Sequence, residues 1–255
     1  MTRAPEVRDR SPGGRIVALD IARSLALLGM AVFHLTYDLQ LFGHLPPGTV
    51  FQHGWRMLSV VVAGSFLFLS GISLVLAHGQ GIRWRAFLRR LGLVGGAAAL
   101  VSLGTYAAFP DRFVYFGILH SIAAASVVGL AFLRLPAPVT ALAAVGAFLA
   151  PRWLGGVTDL GWLDWTGLTD TIRPTVDFEP LFPWLAPFLM GMALARVAGR
   201  AGLWHRLRQA PGAGTPVLRA LAWPGRHSLA VYLIHQPVLL ALVWGWTQVA
   251  GAPPA

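Results

Sequence analysis

One apolar segment near the start of the chain, residues 15–38, constrains the fold more than any other stretch. It is long enough and apolar enough to cross a bilayer, yet it contains Asp20, Arg23, His34 and Asp38. A charged side chain at the centre of a spanning helix costs about 2.5–3.5 kcal/mol on insertion scales, so such residues need partners, water or a function. The segment therefore predicts a membrane-spanning helix whose polar groups lie inside a helix bundle.

The spacing of these four residues places them on one stripe of that helix. At about 100° per residue, Arg23 and His34 are separated by three turns plus about 20°, and by about 16 Å along the axis. His34 and Asp38 are one i,i+4 step apart, which makes them neighbours on the helix surface. We therefore expect a polar stripe that reaches from one end of the membrane crossing toward the other.

Composition indicates an integral membrane protein of the all-α class, a polytopic transmembrane helix bundle. The chain is 56% hydrophobic and 12% charged, whereas a soluble domain is about 25% charged. Its net charge of +10 comes from arginine alone. Basic membrane proteins carry such charge mainly in cytoplasmic loops, so we predict the lipid bilayer, and not nucleic acid, as the partner. Cysteine is absent, which excludes disulfides and thiolate metal sites.

Hydropathy predicts about seven spans. Residues 1–14 are polar and contain Pro and Gly, which predicts a disordered cytoplasmic tail ahead of a transmembrane domain over 15–250. The spans are expected at 15–38, 57–77, 91–109, 113–133, 135–150, 180–195 and 226–249. Gly92 and Gly96 have the small-xxx-small spacing that lets another helix approach closely, which leaves a homodimer open.

The arginines are distributed unevenly between the two sides of this bundle. If the N-terminus is inside, 15 of the 20 arginines lie in inner segments and seven of the ten acids in outer segments. The positive-inside rule thus predicts an inner N-terminus and an outer C-terminus. Because the bias toward Arg, Ala and Gly indicates a GC-rich bacterial genome, we expect a multi-pass protein of the bacterial inner membrane.

His34 and Asp38 form the sharpest candidate site. A carboxylate beside an imidazole fixes its tautomer and stabilises the imidazolium, which makes His34 a candidate general base. The alternative is a histidine and an aspartate that are merely solvated at the wet end of a helix. For Asp20 and Arg23 the alternatives are a structural ion pair or an Arg23 cation that faces an anionic ligand.

Further candidates lie in the later spans. His120 and His235 are intramembrane histidines of the kind often satisfied in a bundle core, and no span has a close-spaced ligand pair, so no metal is predicted. Arg226 and Ser228 flank the start of the last span, where a helix N-terminus binds anions. The alternative for these two is a positive-inside anchor and an ordinary helix cap.

Two motifs in the chain resemble the opening and closing helices of the integral-membrane acyltransferase superfamily. They are L-D-x-x-R at 19–23, with His34 beyond it, and G-R-x-S-L-x-x-Y-L-x-H-x-P at 225–237. The closer resemblance is to bacterial members of the heparan-alpha-glucosaminide N-acetyltransferase family. It runs through FHLTYDLQLFG at 33–43, GSFLFLSGISLVLAH at 64–78, FPDRFVYFGILHSIA at 109–123, PLFPWLAPFLMGMALAR at 180–196 and GRHSLAVYLIHQPVLL at 225–240. Ser24 replaces the glycine that usually follows the motif arginine.

The resemblance implies an acyltransferase that moves an acetyl group from cytosolic acetyl-CoA to an amino sugar on the far side of the membrane. It implies catalytic roles for His34 and for Arg23, its motif partner. In the sugar N-acetyltransferase branch an asparagine stands at the position of His34, and the catalytic histidine lies in the following outer loop. His53 is the counterpart that this chain offers.

We therefore expect acyl-CoA to bind from the cytoplasm and the acceptor, a sugar amine or hydroxyl, to face outward. The catalytic candidates are His34, Asp38, Arg23 and His53, the cofactor-binding candidates are Arg226, Ser228, Asp20 and His235, and His120 is the substrate-binding candidate. Direct transfer and an acyl-histidine intermediate both remain open. Two rival functions are a proton-coupled transporter or channel that uses the stripe as a relay, and a non-catalytic membrane subunit. The lack of an evident inverted repeat counts against the transporter.

Overall fold

A computed structural model describes residues 15–156, 160–210 and 215–250 of the protein. These ranges form helices and no named strand: α1 (Val17–Leu41), α2 (His53–His78), α3 (Trp84–Ala108), α4 (Ile118–Phe132), α5 (Ala137–Leu154), α6 (Leu181–Arg200), α7 (Leu203–Arg208), α8 (Pro216–Arg226) and α9 (Ser228–Ala250). Six of them are long and apolar enough to cross a membrane, and α4 is an apolar helix of 15 residues. The predicted all-α bundle of about seven spans is confirmed, whereas the predicted disordered tail at 1–14 lies outside the described residues.

Two helices begin earlier than their hydropathy predicts. α2 begins at His53 instead of residue 57, and α3 begins at Trp84 instead of residue 91. The first turns of α3 contain arginines, which lower a hydropathy average but lie comfortably in a helix because their long side chains extend toward water. Arg90 consequently lies about 9 Å along α3 from its first residue, which places it inside the span.

Successive membrane-length helices run antiparallel, which gives the bundle two ends. We call the end that contains Val17, His78, Trp84, Phe132, Ala137, Arg200 and Ser228 the basic face. Contacts at both ends of α1 and α9 support this arrangement. At the basic face Gly225 lies against the backbone of Asp20, and at the opposite face a nitrogen of His44 lies 2.7 Å from the hydroxyl of Thr247. The first and last described helices therefore both begin at the basic face and both end at the opposite face.

The crossing of α2 and α6 forms the centre of the bundle. A Cβ atom at Gly71 would lie 2.0 Å from the carbonyl oxygen of Phe188, and one at Gly191 would lie 2.1 Å from that of Phe68. Helices in lipid associate chiefly through close packing, and glycines let two backbones meet. These reciprocal contacts fix α2 against α6, and Phe188 and Leu67 beside them are fully buried. At Gly92 and Gly96, by contrast, no described atom lies within 4 Å of an added Cβ.

The segment before α6 folds back over the opposite face. Phe178 pairs with Phe116 in a single parallel bridge, and the Glu179 amide donates to the Phe116 carbonyl over 3.1 Å. Arg173 donates to both carboxylate oxygens of buried Asp164, at 2.6 and 3.2 Å. The bridge and the backbone bond anchor the segment next to the start of α4, and the Arg173–Asp164 ion pair holds the segment together.

Candidate functional site

Asp20 binds three arginines at the basic face. Its carboxylate is buried and lies 2.8 Å from Arg23, 3.3 Å from Arg15 and 3.5 Å from Arg226. Arg23 also donates to the hydroxyl of Ser73 over 2.6 Å. The structural ion pair considered for Asp20 and Arg23 is thus present, and it extends to the arginine that precedes α9.

Ser24 joins α1 to α8. Its hydroxyl accepts a hydrogen bond from the Gly225 amide over 2.8 Å and donates to the Asp20 carbonyl over 3.2 Å. A Cβ at Gly225 would lie 1.8 Å from the Asp20 carbonyl oxygen, so only glycine fits there. The serine that departs from the motif therefore holds together the two motifs that sequence analysis singled out.

A cavity of about 210 Å³ lies next to this ionic cluster, between α1, α2, α3, α4 and α9. Its polar lining residues are Arg23, Ser70, Arg90, Ser228 and Tyr232, and its apolar lining includes Phe66, Val94, Ile118 and Leu119. Arg23 and Ser228 mark its end near the basic face, and Tyr232 lies one turn farther along α9. The cavity thus combines a cationic end with an apolar body.

Arg90 is the cation that this cavity leaves without a counter-charge. Arg23 is neutralised by Asp20, but none of the described acidic residues forms an ion pair with Arg90. Burial without a carboxylate partner is costly for a guanidinium. An anionic group bound in the cavity would compensate that cost, so the cavity suits a ligand with a negatively charged end.

A second polar group, which we call the α1–α9 cluster, consists of His34, Asp38, His235 and Gln236. The amide Nε2 of Gln236 donates to Asp38 Oδ1 over 2.8 Å, and the rings of His34 and His235 meet edge to face with centroids 5.0 Å apart. Asp38 is therefore paired with Gln236, and the structure gives it no hydrogen bond to His34. His34 and Asp38 lie together as their spacing predicts, but each contacts a different residue of α9.

Three buried atoms of the α1–α9 cluster have no hydrogen-bond partner among the described residues: Asp38 Oδ2, His235 Nε2 and Gln236 Oε1. Unpaired buried polar atoms cost free energy and are rare in folded proteins. The other ring nitrogen of His235, Nδ1, is bonded to the carbonyl oxygen of Tyr232, and the Tyr232 side chain lines the cavity. The cluster and the cavity are therefore adjacent along α9.

The polar stripe of α1 is interrupted between its two ends. Leu27 and Met30 lie on the same side of the helix as Arg23 and His34, and both are buried. They occupy the middle of the interval of about 16 Å that separates Arg23 from His34. The continuous polar stripe that we expected is thus two polar ends joined by apolar packing, and the cavity lies beside it.

Within the described part of the chain, two other predicted site residues form no hydrogen bond and no ring contact with the cluster. Both ring nitrogens of His120 have partners, the Gly117 amide at 3.2 Å and the Ser102 hydroxyl at 3.3 Å, which holds the start of α4 in place. His53 is the exposed first residue of α2. Their substrate-binding and catalytic roles stay predictions, and the same is true of the cofactor role of Arg226 and Ser228.

Two carboxyl groups lie behind the far end of the cavity, in the segment before α6. The Asp177 carboxylate lies against Gly117 and accepts hydrogen bonds from the Ile118 and Phe178 amides, while burial raises its pKa. Burial, and then the charge of Asp177, raise the pKa of Glu179 to about 9, although a bond from Trp184 opposes this shift. Glu179 is therefore mainly protonated at neutral pH.

Sequence analysis missed Arg90, Tyr232 and Gln236. Arg90 directly precedes the span expected at 91–109, and only the earlier start of α3 brings it into the helix. Gln236 is uncharged and follows His235 directly, so it did not attract attention as a site residue. Its one sequence signal is that a polar amide stands in an otherwise apolar helix, where such side chains often hydrogen-bond to another helix.

The chain matches a known family over most of its length. The family model described as heparan-alpha-glucosaminide N-acetyltransferase, catalytic, matches residues 15–237. That range includes every residue that lines the cavity and the whole α1–α9 cluster. No curated protein and no solved structure gives a significant match. The chain therefore belongs to the heparan-alpha-glucosaminide N-acetyltransferase family and is a membrane acetyltransferase by that membership.

Proposed function

We propose that the protein transfers an acetyl group from acetyl-CoA, bound from the cytoplasmic side, to a sugar amine on the other side of the bacterial inner membrane. The observation that carries the proposal is the cavity, which has Arg23 and the uncompensated Arg90 at one end and Tyr232, next to the α1–α9 cluster, at the other. In this orientation the basic face is cytoplasmic, in keeping with the positive-inside rule.

Acetyl-CoA has the chemistry that this cavity requires. Its phosphates are anionic and match guanidinium groups, which bind phosphate oxygens in pairs. Its long, weakly polar pantetheine arm matches the apolar body formed by residues such as Val94 and Leu119. With the phosphates near Arg90 and the basic face, the thioester end would extend toward Tyr232 and the α1–α9 cluster.

The unpaired atoms of the α1–α9 cluster favour an amine over a hydroxyl as the acceptor. Asp38 Oδ2 and Gln236 Oε1 are hydrogen-bond acceptors, and His235 Nε2 is an acceptor while its Nδ1 carries the proton. A hydroxyl offers one hydrogen, whereas an amine offers two and an ammonium three. An amine nitrogen placed there would satisfy more of the cluster and would present its lone pair to the thioester once it is neutral.

Acetyl-CoA binding and turnover in nanodiscs test this function. We expect saturable binding of acetyl-CoA and acetylation of glucosamine by the purified wild-type protein. Val94→Trp fills the cavity and should abolish both, whereas Leu100→Trp, on an exposed part of the same helix, should change neither. Folded wild-type protein that binds no acetyl-CoA at millimolar concentration would refute the proposal, and a proton-gradient-dependent flux would then point to the transporter.

A further inference from the structure

The two histidines of the α1–α9 cluster differ in what holds their rings. His235 Nδ1 lies at the carbonyl oxygen of Tyr232, three residues earlier on the same helix. A carbonyl oxygen only accepts hydrogen bonds, so Nδ1 carries the proton and neutral His235 presents its lone pair at Nε2. That atom is buried and has no partner among the described residues.

His34 has no comparable support. Its contacts are the ring of His235 and the ring of its neighbour Phe33, at centroid distances of 5.0 and 5.8 Å. Neither contact selects one tautomer, and the carboxylate predicted to do so, Asp38, is bonded to Gln236. A general base needs a lone pair held toward its substrate, and of the two rings His235 meets that requirement.

His235 is also the ring that is linked to the cavity. Its ring centroid lies 5.6 Å from that of Tyr232, and Tyr232 lines the cavity. Its neighbour in sequence, Gln236, is fixed by Asp38 from α1. The unpartnered atoms His235 Nε2, Asp38 Oδ2 and Gln236 Oε1 therefore belong to residues that adjoin, directly or through Gln236, the end of the cavity at which we place the thioester.

We propose that His235, and neither His34 nor the exposed His53, is the general base of the acetyl transfer, an inference that rests on the proposed function. The acceptor amine binds with its N–H groups toward Asp38 Oδ2, Gln236 Oε1 and His235 Nε2. As the nitrogen lone pair forms a bond to the thioester carbonyl carbon, His235 Nε2 takes the proton that the nitrogen loses. The carbon–sulfur bond then breaks, and the CoA thiolate takes that proton, which returns His235 to its neutral form. His34 packs on the base and positions it.

Paired glutamine variants test this assignment in full-length protein in nanodiscs. Glutamine places an amide near the Nε2 end of the imidazole and cannot accept a proton, so His235→Gln should preserve the fold and acetyl-CoA binding. We expect its kcat for glucosamine acetylation to fall by about 10²–10⁴-fold, the usual contribution of a general base. His34→Gln should lower kcat by less than about tenfold. The matched control is His205→Gln, at an exposed position of α7, which should behave as wild type.

The outcomes separate this inference from the function on which it rests. If wild-type protein acetylates glucosamine and His235→Gln stays within about threefold of it, His235 is not the base, whatever His34→Gln does. A larger loss in His34→Gln or in His53→Gln than in His235→Gln would give the role to that histidine. Stoichiometric acetylation of His235 in the absence of acceptor would make it a nucleophile and overturn the assignment as well. Failure of the wild-type protein to bind acetyl-CoA would refute the proposed function itself.

Discussion

Gln236 of α9 donates a hydrogen bond to Asp38 of α1 over 2.8 Å, and Asp38 is fully buried. This bond joins helices that are 198 residues apart in sequence. It also leaves the second oxygen of Asp38 and the amide oxygen of Gln236 without partners among the described residues. One contact thus joins the first and last membrane-length helices and leaves two buried oxygens able to accept further hydrogen bonds.

Loss of this bond should destabilise the protein. Gln236→Met leaves both oxygens of Asp38 unpaired, and a buried group that loses its partner costs about 1–3 kcal/mol. The double variant Asp38→Leu/Gln236→Met removes both partners and should recover part of the loss. The midpoint of thermal unfolding in detergent measures the loss in Gln236→Met and the recovery in the double variant. The exposed Gln209→Met is the control. Equal midpoints for wild type and Gln236→Met would contradict the prediction.

The α2–α6 crossing predicts that alanine substitutions of two glycines will have opposite effects on stability. Gly71→Ala would drive a methyl group into the Phe188 carbonyl, and overpacking of this kind costs about 1–3 kcal/mol. Gly92→Ala, where no described atom is near, should be neutral or slightly stabilising because alanine is the better helix former. Thermal unfolding compares the two directly. Destabilisation by Gly92→Ala would show instead that α3 packs against another helix, such as one from a second copy of the chain.

Two substitutions in the ionic cluster around Asp20 should destabilise the folded protein by different amounts. Asp20→Asn removes the carboxylate that compensates half-buried Arg23, and breaking a buried pair in this way costs about 3–5 kcal/mol. Arg15→Ala removes a partner whose side chain is 65% exposed, so we expect less than about 1 kcal/mol. Equilibrium unfolding in denaturant measures the difference. Similar losses of unfolding free energy for Asp20→Asn and Arg15→Ala would mean that Arg23 does not need Asp20 to compensate its charge.

Glu179 should make stability depend on pH. Its pKa in the folded protein is raised to about 9 by burial and by Asp177, from an ordinary value of 4.5. The folded state then binds the proton more tightly than the unfolded state, so this group lowers stability as the pH rises from about 4.5 toward 9. Glu179→Gln removes that ionisation and should flatten the decline of the unfolding temperature. The exposed Asp170→Asn is the control, and equal slopes in wild type and Glu179→Gln would contradict the assignment.

The helix period predicted the relation between Arg23 and His34, because both belong to one helix and periodicity is a local property. It also placed Asp20 and Arg23 on one stripe, where a structural ion pair was one of two alternatives. It did not predict the partners supplied by other helices, such as Gln236 for Asp38. Those contacts depend on how α9 is rotated and shifted against α1, which is set by packing at Gly225 and Ser24. The orientation of the bundle in the membrane stays a prediction from charge.

The glycines at which helices approach each other closely were likewise not predicted from spacing within one helix. The small-xxx-small spacing singled out Gly92 and Gly96, whereas the close approaches lie at Gly71, Gly191 and Gly225. Gly71 and Gly191 belong to different helices and meet reciprocally, so no spacing within one helix reveals them. Arg90 was missed for a physical reason too, because a basic first turn lowers the hydropathy of a helix that nevertheless continues through it.

α4 has only 15 residues, a length of about 22 Å at 1.5 Å per residue, whereas a typical hydrocarbon core is about 30 Å thick. A span that is too short draws the two leaflets toward each other around it. α4 forms one wall of the cavity, so we expect this hydrophobic mismatch to thin the bilayer beside it. In the proposed function, a thinner bilayer would shorten the distance between cytoplasmic acetyl-CoA and an acceptor on the other side.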